Sequence, residues 1–276
     1  MYGEMLVRGF NTSVPIDVPL DKQYPGGEPI VKGEWWNRDI REIILRPRSL
    51  QSFVTAMFAV DGMIERGFKV PRLILPYIPG ARQDRVNDDG DFLFTLKSVA
   101  KMINDRGFPS VTVYDAHSDV ALALIDRCYN MKAVDILPGS LGYTGIVAPD
   151  AGASKRAGEV AVRHGFKLVQ AWKKRDIATG AIAGFGYDAS SVESNESFLV
   201  VDDICDGGGT FIGLAQAMQN NPANEFKPTN INLDLYVTHG IFSKGTDELL
   251  KYYRNIYTTD SILGAPHNVD IIHNIV

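Results

Sequence analysis

Short apolar runs alternate along this chain with stretches whose apolar residues recur at helical spacing. Arg72 to Pro76 is a compact apolar run, and Val111 to Tyr114 is rich in residues that favour strands. Between them, Phe92 to Arg106 sets Leu96, Val99, Ala100 and Ile103 on one helical face, with Gly107 as a stop. Val120 to Cys128 reads as a further helix, Gly145 to Ala148 as a strand, and Ala153 to His164 as a helix ending at Gly165. Lys167 to Gln170 and Phe198 to Val201 read as strands, Thr210 to Met218 as a helix, and Ile231 to Val237 as a last long strand.

This order predicts an α/β fold of mostly parallel sheets flanked by helices. Sites in such sheets lie at the carboxyl ends of the strands. Residues 11–50 break the pattern. They are rich in proline, glycine and charge, carry Trp35 and Trp36, and predict an antiparallel hairpin or ribbon rather than a βαβ unit. A weak pseudo-duplication divides the chain into halves at 1–140 and 141–276, with no linker between them.

The composition is that of a globular protein, with 45% hydrophobic and 22% charged residues among 276. The net charge of −5 and the lack of a basic stripe exclude a nucleic-acid binder. Cys128 and Cys205 make neither a disulfide framework nor a zinc cluster. No apolar run approaches membrane-spanning length, so neither membrane nor secretion is expected, and a reducing cytoplasm fits.

The densest chemistry lies in Val200-Val-Asp-Asp-Ile-Cys-Asp-Gly-Gly-Gly-Thr210. A strand ends in the adjacent carboxylates Asp202 and Asp203, which can accept hydrogen bonds from a cis-diol. Asp206, Gly207, Gly208, Gly209 and Thr210 then turn into a helix. Amides of such a turn converge on a phosphate, and the helix terminus adds positive potential. Diol and phosphate together describe ribose 5-phosphate.

That string resembles the signature of type I phosphoribosyltransferases and of phosphoribosyl pyrophosphate (PRPP) synthetases, the ribose-phosphate diphosphokinases. Other segments resemble the synthetases in the same order. Leu75-Pro-Tyr-Ile-Pro-Gly-Ala-Arg-Gln-Asp-Arg85 is similar to their P-Y-x-x-Y-A-R-Q-D-R segment, and Val113-Tyr-Asp-Ala-His117 to V-D-L-H. Val147 to Ala157 is similar to S-P-D-x-G-x-x-x-R-A, Trp172-Lys-Lys-Arg175 to the K-R-R element, and Val237 to Ser243 to A-T-H-x-x-F-S. Ordinary phosphoribosyltransferases do not join A-R-Q-D-R to K-R-R.

The resemblance implies two type I phosphoribosyltransferase-like halves and a homo-oligomer, dimer or hexamer. It implies transfer of pyrophosphoryl from ATP to ribose 5-phosphate with Mg²⁺. Glu28, Arg82, Gln83, Asp84 and His117 would then serve ATP. His117 and Asp150 would serve the metal, and Asp150 suits it on chemistry alone as a hard carboxylate at a strand end. Arg82 and Gln83 have the groups to hold adenine and phosphates. Lys173 and Arg175 would stabilise the charge built at the transferring phosphoryl, with Ala178 to Gly184 as a mobile lid.

The chain also departs from the pattern. Gly26 stands where an aspartate is expected before Glu28, and Gly80 where a tyrosine precedes A-R-Q-D-R. Ser118-Asp-Val-Ala-Leu-Ala replaces A-x-Q-I-Q-G-F-F. Gly207 stands where a threonine is usual, which removes a donor and opens space. That change makes an acceptor larger than ribose 5-phosphate, such as ADP-ribose, the alternative to ribose 5-phosphate itself. The chain is also shorter at its C-terminus than typical synthetases, so an incomplete version of their allosteric phosphate and nucleotide site is expected. Two rival readings are a transferase that consumes PRPP and a non-catalytic regulatory homologue.

Overall fold

The computed structural model of the chain describes residues 4–9, 16–18, 20, 22–32, 39–86, 90, 93–138, 142–175, 182–219 and 230–272, the side chains of residues 16, 17, 174, 175, 182 and 183 excepted. The chain forms two compact units, one of residues 1–131 with 261–264 and one of residues 132–260 with 265–276. Trp35 and Trp36 lie outside the described residues.

The first unit holds a sheet of six strands, in the order β2-β1-β3-β4-β5-β6. β1 (Glu4–Gly9) pairs antiparallel with β2 (Ile16–Asp17) and with β3 (Ile40–Arg46). β4 (Arg72–Ile74), β5 (Val111–Tyr114) and β6 (Cys128–Met131) extend β3 in parallel. α1 (Leu50–Glu65), α2 (Thr95–Asn104) and α3 (Asp119–Leu124) make the crossovers. Met5, Leu45, Phe53, Met57 and Leu73 are fully buried in its core. Each such side chain contributes about 1.5–3 kcal/mol through burial. The α1 terminus is fixed by reciprocal hydrogen bonds between Ser49 and Ser52. Within residues 11–50, β2 and β3 pair antiparallel with β1 rather than with each other, and an isolated antiparallel bridge of Gln23 with Pro29 closes a tight turn, in which the amide of Tyr24 donates to the Glu28 carbonyl at 2.9 Å.

The helix expected over Val120 to Cys128 is shorter. It stops at Leu124, Ile125 is extended, Arg127 takes a left-handed φ of 52°, and Cys128 opens β6. The apolar run 120–125 carries the helical pattern, but strand pairing claims its end.

The second unit holds seven strands, in the order β13-β12-β11-β10-β7-β8-β9. They are β7 (Gly145–Ala148), β8 (Lys167–Arg175), β9 (Ile182–Tyr187), β10 (Ser197–Cys205), β11 (Asn232–Gly240), β12 (Ile256–Thr259) and β13 (Asp270–Ile272). Every neighbouring pair is parallel except β8 with β9. α4 (Ala133–Ile136), α5 (Ser154–His164) and α6 (Gly209–Gln219) accompany this sheet. Mostly parallel sheets flanked by helices are the fold class the sequence predicts.

Four boundaries differ from expectation, one of them β11, which runs three residues past Val237 to Gly240. β8 runs past Gln170 to Arg175, because Ala171 to Arg175 pairs with β9 as a hairpin. Residues 182–184 of the expected lid belong to β9, and residues 176–181 lie outside the described residues. β10 continues through the two aspartates to Cys205, so both carboxylates sit within the strand rather than beyond it. Among the described residues, no helix is long and apolar enough to cross a membrane.

Candidate active site

β11, β10, β7 and β8 are consecutive neighbours in the second sheet, so their carboxyl ends form one edge. Adjacent strands lie roughly 4.8 Å apart. Three of the sequence motifs meet along this edge.

From β7, Asp150 directs its carboxylate two ways. Oδ1 accepts from the amides of Gly152 at 3.0 Å and Ala153 at 3.3 Å, where α5 begins without a side-chain cap of its own. Oδ2 accepts from Lys173 Nζ at 2.7 Å. Asp150 is therefore both the brace of the α5 terminus and the ion-pair partner of Lys173. Gln170 fixes the same corner by donating to the Asp150 carbonyl at 3.2 Å. The side chains of Lys174 and Arg175 lie outside the described residues.

From β10, Asp203 is buried and Asp202 half-buried. Neighbours on a strand point to opposite faces. Two contacts nevertheless bring these carboxylates together. Asp202 Oδ1 accepts from the Asp203 amide at 2.9 Å, which folds it back along the strand. Arg156 on the first turn of α5 then spans both, with Nη1 at 3.3 Å from Asp202 and 3.5 Å from Asp203. Burial, followed by the charge of Asp203, holds the Asp202 carboxyl well above the usual carboxylate range, and Arg156 opposes that shift.

The glycine turn follows. Gly208 has a left-handed φ of +76°, and a Cβ there would come within 3.3 Å of Leu249. Gly209 and Thr210 open α6, whose first turn has no acidic residue. A Cβ on Gly207 would meet Lys244, at 3.6 Å from Cδ and Cε. Asp206 is half-buried at the turn's start.

In the first unit, the turn after β4 is closed by the Gln83 amide donating to the Gly80 carbonyl at 2.9 Å, with Gly80 at φ +77°. Arg82 and Gln83 are exposed on it. The Gln83 side chain accepts from the Thr95 hydroxyl at the start of α2. Asp84 points inward and is held bidentately by Arg85, at 2.7 and 3.0 Å. Arg85 above all, with smaller help from Ser118 and His117, lowers the Asp84 carboxyl to about 2 against the effect of burial. Asp84 thus anchors the turn that presents its neighbours. His117 lies exposed just past β5, and Glu28 is exposed on the Tyr24–Glu28 turn.

No family model matches the chain. Curated relatives do. The ribose-phosphate pyrophosphokinase of Pyrococcus abyssi is 27% identical over 265 residues, covering 92% of this chain and 88% of its own. That of Thermococcus kodakarensis is 28% identical over 240 residues, covering 82% and 79%. Along most of its length the chain is similar to ribose-phosphate pyrophosphokinases. Among solved structures, the phosphoribosylpyrophosphate synthetase of Mycobacterium smegmatis superposes with a TM-score of 0.75 at 20% identity, over 91% of this chain and 84% of that one, which establishes a shared fold.

Two residues of the site escape a reading of single motifs. Arg156 lies inside the quoted 147–157 segment, yet its partners stand 46 residues away in sequence. Lys244 directly follows the 237–243 segment, and only the fold brings it to Gly207.

Proposed function

We propose that the chain is an ATP-dependent diphosphokinase that transfers the pyrophosphoryl group of ATP to the anomeric hydroxyl of ribose 5-phosphate, giving PRPP and AMP. One observation carries the reading: the phosphate-type turn, the bridged aspartate pair and the Lys173–Asp150 pair share one edge of one sheet. A structural glycine turn alone would not need the other two.

The acceptor's phosphate binds the amides of residues 206–210 and the Thr210 hydroxyl, and its cis-diol binds Asp202 and Asp203, held by Arg156. The sugar's O1 attacks the β-phosphorus, the bond from that phosphorus to the bridging oxygen breaks, AMP leaves with that oxygen, and the hydroxyl proton passes to solvent. Lys173, joined by Arg175, exchanges its carboxylate partner for the oxygens of the transferring group, where negative charge grows. Positioning and charge account for most of such catalysis. Arg82, Gln83 and Glu28 take the nucleotide, Asp84 fixes their turn, and assembly as a dimer or hexamer brings Glu28 to a neighbouring copy.

Among the described residues no three His, Cys, Asp or Glu side chains cluster as an all-protein metal cage requires. Mg²⁺ does not need one, since it keeps its waters and rides on substrate phosphates with one or two carboxylates. Asp150 fits that donor set, with His117 as a further contact. The ion, when bound, neutralises charge on the phosphate oxygens. A cytoplasmic setting completes the reading.

A second acceptor, ADP-ribose, has one observation behind it: the space beside Gly207 is bounded by a flexible lysine rather than by backbone. Mass spectrometry of reactions with ATP, Mg²⁺ and either acceptor tests both readings. AMP together with an acceptor heavier by one pyrophosphoryl group is expected. Failure to form AMP with either acceptor rejects the diphosphokinase, and AMP formation without any base rejects the PRPP-consuming transferase.

A further inference from the structure

The turn between β11 and Thr246 is tied to the end of β10. The amides of Ile241 and Phe242 both donate to the Cys205 carbonyl, at 2.9 and 3.1 Å, and the Gly245 amide returns to the Phe242 carbonyl at 2.8 Å. Phe242 is buried and takes a left-handed φ of 46°, a conformation that a bulky residue holds only when its surroundings demand it. This small knot fixes where Ser243 and Lys244 emerge. They emerge beside the glycine turn, with Lys244 Nζ 4.0 Å from the point that a Cβ on Gly207 would occupy.

Lys244 is exposed and has no ion-pair partner among the described residues. Its ammonium stands at the start of α6, where backbone amides already concentrate positive potential and the first turn offers no acid. A cation is disfavoured at a helix N-terminus for the reason that an anion is favoured there. Bound phosphate reverses the sign, turning two like potentials into two attractions to one group.

We propose that Lys244 is the side-chain cation of the acceptor's phosphate site, and that it supplies the donor which Gly207 lacks. This inference rests on the diphosphokinase reading and adds a specificity-determining residue to it. The space at 207 and the lysine are then one device. A glycine keeps Cβ and hydroxyl out of the way, and a longer, charged donor enters from β11. The substrate class is a sugar with a phosphate at its 5-position, as a monoester or within a diphosphate. Lys244 has the reach to serve either.

Steady-state kinetics on Lys244→Met, Lys244→Arg, Gly207→Thr and the double variant Lys244→Met with Gly207→Thr test this. Each is run against ribose 5-phosphate and ADP-ribose with ATP varied separately. Lys244→Met is expected to raise the acceptor KM at least about ten-fold, as loss of a charged hydrogen bond does, with smaller changes in kcat and in the KM for ATP. Lys244→Arg is expected to retain most of the affinity. In the double variant the restored hydroxyl is expected to recover part of the loss for ribose 5-phosphate, since a Cβ at 207 meets only the lysine stem at 3.6 Å, an ordinary contact. A larger loss for ADP-ribose than for ribose 5-phosphate in Lys244→Met assigns the cation to the second phosphate, and equal losses assign it to the first. An unchanged acceptor KM in Lys244→Met, with the wild type active, overturns the inference and leaves the diphosphokinase reading intact. A wild type that forms no AMP with either acceptor overturns both.

Discussion

The two sheets present their carboxyl edges in different ways. At the edge of the second sheet the charged groups are partnered with one another: Lys173 with Asp150, and Arg156 with Asp202 and Asp203. At the edge of the first, the buried carboxylate of Asp84 holds a turn, and the side chains offered by that turn, Arg82 and Gln83, are exposed. The second sheet thus stores a pre-formed charge arrangement, whereas the first displays groups on a braced loop. A pre-formed arrangement suits groups needed in the transition state, because no reorganisation is left to do when charge develops. A displayed turn suits recognition of a ligand that supplies its own order.

If this contrast is right, substitutions in the second sheet act on chemistry and acceptor, and those in the first act on nucleotide binding. The largest effect is expected from Lys173→Ala. It should lower kcat by on the order of 10²-fold or more while changing both KM values little, because in the proposed mechanism the ammonium meets the phosphoryl oxygens mainly in the transition state. Pre-steady-state or steady-state kinetics that return a near-normal kcat would remove Lys173 from the mechanism.

Arg156→Met comes next. With the guanidinium gone, burial and Asp203 push the Asp202 carboxyl further upward, so less carboxylate is available to the diol at neutral pH. The acceptor KM should rise about ten-fold near pH 7, the loss expected when a charged contact is removed. It should recover as the pH is raised, and the wild-type profile should lie at lower pH than that of the variant. A loss of equal size at every pH would make Arg156 a packing residue only.

Gly208→Ala probes the turn itself. Placing a side chain at φ +76° against Leu249 should cost about 1–2 kcal/mol of stability and lower the melting temperature by a few degrees. Calorimetry that finds no loss would mean the turn relaxes freely.

Asp84→Asn carries the smallest effect, and it falls on the other substrate. Loosening the Arg82–Gln83 turn should raise the KM for ATP a few-fold and leave the acceptor KM unchanged. Its acid behaviour has a definite sign. Asp84 has a folded pKa of about 2, below its ordinary value, so its stabilisation is complete above about pH 4 and is lost as pH falls towards 2. Acid titration followed by circular dichroism should show that this part of the decline is missing in the variant.

The fold was legible where strands are buried on both faces. Val111 to Tyr114 is a short run of strand-favouring residues and Gly145 to Ala148 a short apolar one, and both strands have the bounds the sequence predicts. Strand Lys167–Arg175 was cut short because its second half pairs with one edge strand, carries Lys173, Lys174 and Arg175, and leaves Trp172 exposed. Helix α1, the longest among the described residues, has no clear period in the sequence. Leu50, Phe58 and Ile64 remain exposed around it, so apolar residues cover more than one face and the helical period is faint. The site was legible as single motifs through resemblance. The pairs that organise it were not. Asp150 meets Lys173 across 23 residues and Arg156 meets Asp202 across 46, and such contacts exist only once β7, β8 and β10 lie side by side.

Cys205 joins the last residue of β10 to the glycine turn, and its carbonyl receives both amides of the Phe242 knot. Burial, then the charges of Asp202 and Asp206, lift its thiol to about 12. Since the thiolate is the species that oxidants and electrophiles attack, sulfur at this junction is almost inert. A sulfhydryl stands a few bonds from the turn proposed to hold the acceptor's phosphate, yet burial keeps it from competing as a nucleophile or recording the redox history of its surroundings. In chemical terms Cys205 is a small hydrocarbon-like plug that keeps the phosphate turn indifferent to oxidation.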